Sequence, residues 1–171
     1  MKNFLTAFLS FTLFSCFPVQ SQNTVIDIVG TNTFSFKKIA TGNTISLSAT
    51  AAEITAAFGS PVSTTEVVSE LDDLTYTKWT YSGIKISLVT GKLSSLEISN
   101  TSIGLVFNGT TIKVGSDINN LSSLFPGSFA LRSDERMLMF IGLHHNDQIT
   151  DAHIVIGFNG QNKITTISLV N

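Results

Sequence analysis

The stretch IKVGSDINNLSSLFPGS, residues 112–128, echoes ISLSATAAEITAAFGSP, residues 45–61, at a fixed offset of 67. At that offset Ile45 meets Ile112, Leu47 meets Val114, Ile54 meets Leu121, Ala57 meets Leu124 and Phe58 meets Phe125. Thr50 meets Asp117, and both are residue types whose side-chain oxygen caps a helix N-terminus. Thr50-Ala-Ala-Glu53 is a capping-box pattern, in which the glutamate reaches back to the cap. Ile54, Ala57 and Phe58 then fall on one helical face, as do Ile118, Leu121, Leu124 and Phe125. Gly59 and Pro126 are expected to stop the two helices at matching positions.

The correspondence runs outward in both directions. Upstream, Phe36, Ile39 and Gly42 meet Ile103, Val106 and Gly109. Downstream, IKISLV at 84–89 and AHIVIGF at 152–158 alternate apolar and polar residues, as half-buried strands do, and each is followed by a turn and a second such strand. Further strands are expected near 66–70 and 75–81 in the first copy and near 129–132 and 137–143 in the second. The reading is an α+β fold of two tandem repeats, 34–100 and 101–171, each a lead-in strand and a short helix packed on a four-stranded antiparallel meander. Residues 22–33 read as an N-terminal linker.

Residues 1–21 read as a secretory signal: Lys2, an apolar run at 4–14 too short to span a bilayer, and VQS before Gln22. LFSC at 13–16 offers another exit, resembling the lipobox in which the cysteine, here Cys16, carries the lipid. The remaining 150 residues suffice for one domain with a proper core. Cys16 is the sole cysteine, which excludes an internal disulfide and a cysteine-based metal site. Without Lys2 the chain carries nine basic and twelve acidic residues, a net charge of −3, and no basic cluster beyond Lys37 and Lys38. Nucleic acid is therefore disfavoured as a partner, because binding phosphates needs clustered positive charge.

AFGSP at 57–61 and KWTY at 78–81 resemble the unit of the small outer-membrane-assembly lipoproteins, which shows a cap, a short helix, G-x-P, a W-x-Y strand and a hairpin. The tandem arrangement is similar to the β-lactamase-inhibitor-protein type. The second copy departs from the pattern, with LFPGS and no tryptophan. The resemblance implies protein binding in the envelope or outside the cell, and it carries no catalytic residues.

Two stretches are candidates for function. HHNDQITDAH at 144–153 holds all three histidines, and His144, His145, Asp147, Asp151 and His153 are of metal-ligating types. Their spacing matches no metal motif, and the stretch reads as the long hairpin loop of the second copy, so no metal, cofactor or catalytic residue is expected. MLMFIGL at 137–143 is apolar on both faces, which calls for cover on both sides or marks a contact surface. Met137, Leu138, Met139, Phe140, Ile141, His153 and Val155 are the candidate partner-binding residues. Alternation puts Met137, Met139 and Ile141 on one face and Leu138 and Phe140 on the other, without saying which face is covered.

The expectation is an exported bacterial protein-binding module, an inhibitor or an envelope-assembly accessory, with self-association left open. The alternatives are a small metal-dependent enzyme built on the 144–153 stretch and a carrier of a small apolar ligand between sheet and helices.

Overall fold

The computed structural model describes residues 25–69 and 73–171, so the export signal, Cys16 and part of the turn after residue 69 lie outside the described residues. The architecture is α+β and mostly β. Among the described residues twelve strands form two sheets. In chain order they are β1 (Ile28–Gly30), β2 (Phe34–Lys38), β3 (Thr44–Ser46), β4 (Ser63–Val68), β5 (Thr75–Tyr81), β6 (Ile84–Val89), β7 (Lys92–Ile98), β8 (Ile103–Phe107), β9 (Thr110–Lys113), β10 (Leu138–His145), β11 (Gln148–Phe158) and β12 (Ile164–Val170). The helices are α1 (Ala51–Phe58) and α2 (Pro126–Ala130). The larger sheet has the order β1-β10-β11-β12-β7-β6-β5-β4 and the smaller β3-β2-β8-β9. All pairs are antiparallel except β1 on β10, which is parallel.

The first helix forms as its sequence dictates. Glu53 N–H donates to Thr50 Oγ1, and Thr50 N–H donates to Glu53 Oε2 at 2.7 Å, which completes the capping box. Gly59 closes the helix at φ 89°, a left-handed backbone that suits glycine. Ile54, Ala57 and Phe58 are the buried face. The second helical segment departs from expectation. Asp117 caps only a short 3-10 turn, Ile118–Leu121, and Pro126 begins α2 instead of ending a helix. Proline's fixed φ and missing N–H suit the first turn of a helix, where that donor has no partner anyway. Residues 129–132 therefore do not form a strand, since α2 runs to Ala130.

Three further expectations need correcting. The second meander has three strands, and the outer position beside β10 is taken by β1 from the segment read as a linker. That segment is anchored at both polar groups of one residue: Ser128 Oγ accepts from Asp27 N–H at 2.9 Å, and Asp27 Oδ2 accepts from Ser128 N–H at 2.8 Å. Each lead-in strand is in fact a hairpin, β2–β3 and β8–β9, and the two hairpins make up the smaller sheet. One apolar cluster unites the molecule, with Phe36, Ile54, Ile98, Leu105, Ile118, Phe125, Met139 and Ile156 among its fully buried members.

The cap carboxylates make stability acid-sensitive. Glu53 is held below the usual carboxylate range by the backbone N–H of Thr50 and by its hydroxyl. Asp117 is lowered as well, first by the backbone N–H of Asn119 and then by Lys163, 3.4 Å away. In the unfolded chain both groups take up protons at a higher pH than in the folded one. Their contribution is therefore complete above the ordinary carboxyl range and lost as pH falls through the depressed folded values. Denaturant midpoints measured from neutral to strongly acid pH should fall less steeply in a Glu53→Gln, Asp117→Asn double variant than in wild type. Equal slopes would remove the caps from the acid response.

Candidate functional site

Strand β10 decides which apolar face is covered. Met139, Ile141 and Leu143 are 0 % exposed and belong to the core, whereas Phe140 on the opposite face is 40 % exposed. Met139 and Ile141 are thus excluded from the candidate contact surface. Met137 does not share their face: it precedes the strand with φ 54° and is partly exposed. Trp79 and Tyr81, on one side of β5, pack against the core, and the Tyr81 hydroxyl donates to the Gly59 carbonyl at the end of α1.

Register extends the outer face across the sheet. Phe140 opposes Val155, which opposes Ser168, and the row continues through Glu97 and Lys85 to Thr80. Gly142 opposes His153, which opposes Val170, and Ile28 lies beside Gly142. Gly142 is bare because the Ile26 and Ile28 side chains lie over it; a Cβ there would meet Ile28 Cγ1 at 3.2 Å. The outer face is therefore divided. Its β1–β12 half carries Ile28, Leu138, Phe140, Val155 and Val170, all exposed or half-buried. Its β5–β7 half carries Lys78, Lys85, Ser87, Ser95 and Glu97, with an exposed Lys85–Glu97 pair at 3.3 Å, and its apolar members there, Tyr76 and Val89, are opposed to each other and half-buried. Of the seven candidate residues, Leu138, Phe140, His153 and Val155 are thus brought together on one face. Ile28 and Val170 are additional members of the patch.

The histidine stretch is a tight hairpin and not a long loop. His145 opposes Gln148 across the two-residue turn of Asn146 and Asp147, both at positive φ. The register then slips: Gly142 pairs with His153 but His144 with Ile149, so Thr150, Asp151 and Ala152 face Leu143 alone. Thr150 Oγ1 donates to the Leu143 carbonyl at 3.0 Å, which satisfies one group the bulge frees. His144, His145 and Asp147 line a cleft of about 620 Å³ with Thr31, Asn32, Ser46 and Ser48. His145 Nδ1 lies 3.1 Å from Thr31 Oγ1, and the buried His144 Nδ1 has no hydrogen-bond partner. Asp151 is exposed on the bulge, and His153 sits on the outer face within the apolar patch.

Among the described residues no three histidine, cysteine or acidic side chains are grouped so as to hold a metal ion. A zinc titration with elemental analysis should find no stoichiometric metal. One equivalent of metal, lost on His145→Ala, would overturn that expectation. No helix among the described residues is long and apolar enough to cross a membrane. Comparison with family models, with curated proteins and with solved structures gives no match.

Proposed function

We propose that the chain is an exported bacterial protein-binding module that works without catalysis and contacts its partner through the β1–β12 half of the outer sheet face. The observation that carries this reading is the split of that face, with Phe140, Val155 and Val170 presented on one half while Lys85 and Glu97 occupy the other. An exposed aromatic among aliphatic neighbours is the composition of a contact centre, and a charged rim suits its boundary. Export rests on Lys2 and the apolar run at 4–14, with Cys16 as the point of lipid attachment in the anchored version. Inhibition of a secreted hydrolase and envelope assembly are the two roles the resemblance offers.

The same reading takes the chain as one unit written twice. Support comes from the strand orders, which pair β4, β5, β6 and β7 with β1, β10, β11 and β12 about the middle of the larger sheet, and β2–β3 with β8–β9 in the smaller. Thr50 bridges Lys92 and Asp117 bridges Lys163, so both cap residues meet the same position of their hairpins. The place of β4 in the second unit is filled by the N-terminal strand, because the chain there is spent on α2.

The apolar-ligand carrier is disfavoured by Ile54, Ile118, Leu121 and Phe125, all at 2 % exposure or less where such a ligand would sit. The test of the binding reading is capture from envelope extract and culture medium with wild type, Phe140→Asp and Lys85→Ala. A partner held by wild type and Lys85→Ala but lost from Phe140→Asp supports it. A partner lost only from Lys85→Ala moves the site to the other half.

A further inference from the structure

Residues 25–30 lie in a slot built by two glycines and a buried serine. Ser128, in α2, is 1 % exposed, and both its hydroxyl and its N–H bond to Asp27. Gly127 beside it lacks the Cβ that would strike the Val25 carbonyl. Across the slot, Gly142 lacks the Cβ that would press on Ile28, and its N–H donates to the Asp27 carbonyl at 2.9 Å. Asp27 is therefore held by its N–H, its carboxylate and its carbonyl, between a helix on one side and β10 on the other.

This segment is held specifically but buries little. Of residues 25–30 only Gly30 is buried, and Val25 and Ile28 are 61 % and 39 % exposed. Val29 alone of the four apolar side chains packs on the core cluster, and it is only partly buried. β1 pairs with β10 over three residues, whereas β10 pairs with β11 over nearly its whole length. Segments with few buried apolar contacts and hydrogen bonds at a sheet edge are the ones that open locally, at a smaller free energy than the whole fold. The core side of β10, with Met139, Ile141 and Leu143 at 0 % exposure, is bounded by other elements.

We propose that residues 25–30 are a strap that opens and closes on β10 while the core stays folded, and that the Asp27–Ser128 clasp sets the closed population. The consequence for binding rests on the partner surface proposed above. Closure lays Ile28 over Gly142, beside His153 and next to the Phe140 row, and it covers the edge of β10. Opening takes Ile28 out of the patch and bares that edge. The closed strap is the binding form, and Asp27 and Ser128 are positioning residues that act through Ile28.

Hydrogen exchange tests the strap without a partner, because the Gly142 N–H reports on the Asp27 carbonyl. In wild type that amide should exchange through an opening that leaves the amides between β11 and β12 protected. Asp27→Ala and Ser128→Ala each remove a bond between a carboxylate or hydroxyl and a buried partner, so exchange at Gly142 should speed by about tenfold or more, with β11 and β12 unchanged. Asp27→Asn keeps an oxygen for the Ser128 N–H and should exchange more slowly than Asp27→Ala. If Asp27→Ala does not fold, Ser128→Ala, which deletes a single oxygen, gives the same readout. Equal acceleration in β11 and β12 would make residues 25–30 part of one unfolding unit with the core, and unchanged exchange at Gly142 would mean that the clasp does not hold them; either result overturns the proposal. Binding is read separately. Capture of a partner by Asp27→Ala should fall about as far as the closed population does. Undiminished capture by Asp27→Ala beside loss from Phe140→Asp would overturn the strap's part in the surface and leave the surface standing. Capture retained by Phe140→Asp would overturn the surface and the strap's role in it, while the exchange rates still decide the opening.

Discussion

Met139→Asp should abolish folding, and Phe140→Asp, one residue along, should leave the protein folded. Met139 is fully buried between β11 and the core, opposite Ile156. A carboxylate there has no counter-charge, and the cost of burying it adds to the loss of the thioether's packing. Together these rival the whole stability of a domain, about 5–15 kcal/mol. Phe140 faces outward beside Val155 and is 40 % exposed, so its replacement should cost about 1 kcal/mol, the middle of the range for point substitutions. Circular dichroism and denaturant melts separate the two. If both variants unfold, the outer face is covered in the working protein; if Met139→Asp folds normally, the side of β10 has been assigned wrongly.

Phe125→Ala should destabilise the fold by about 3–5 kcal/mol, the range for a buried phenylalanine. The ring is 0 % exposed and lies 4.6 Å, centroid to centroid, from Phe107 and 6.2 Å from Phe34. It joins the start of α2 to both inner strands of the smaller sheet, and truncation opens a cavity where three elements meet. Phe58 at the end of α1 is 6 % exposed, and its replacement by alanine should fall in the same range. Urea melts measure both. A loss below about 1 kcal/mol at either position would mean that its helix end does not dock there.

Much of this architecture is legible in the chain, and the misses have physical causes. The α1 cap and stop are local, since Thr50, Glu53 and Gly59 carry the instructions within one segment. The hairpins β6–β7 and β11–β12 follow from alternation bounded by turn residues. α2 was hidden because Pro126 can end one helix or begin another, and only the tertiary placement of Phe125 chooses. β1 was hidden because three residues pair in parallel with a strand more than a hundred positions away, and no local pattern encodes that partner. The apolar run Val25, Ile26, Ile28 and Val29, broken only by Asp27, is the available hint. The histidine stretch looked like a loop because Asn146 and Asp147 are turn residues and the bulge after them breaks the alternation. On the candidate site, Phe140 and Val155 were readable as apolar residues in strands. The buried side of β10 was not, because both of its faces are apolar.

A photoreactive side chain installed singly at Val155, and in a second protein at Ser87, tests the binding account most directly, since both positions lie on the outer face of one sheet but on its two different halves. Irradiation in envelope extract or culture medium should give a discrete heterologous adduct from position 155 and none from position 87. An adduct from position 87 alone, or none from either, would contradict a partner surface centred on Phe140.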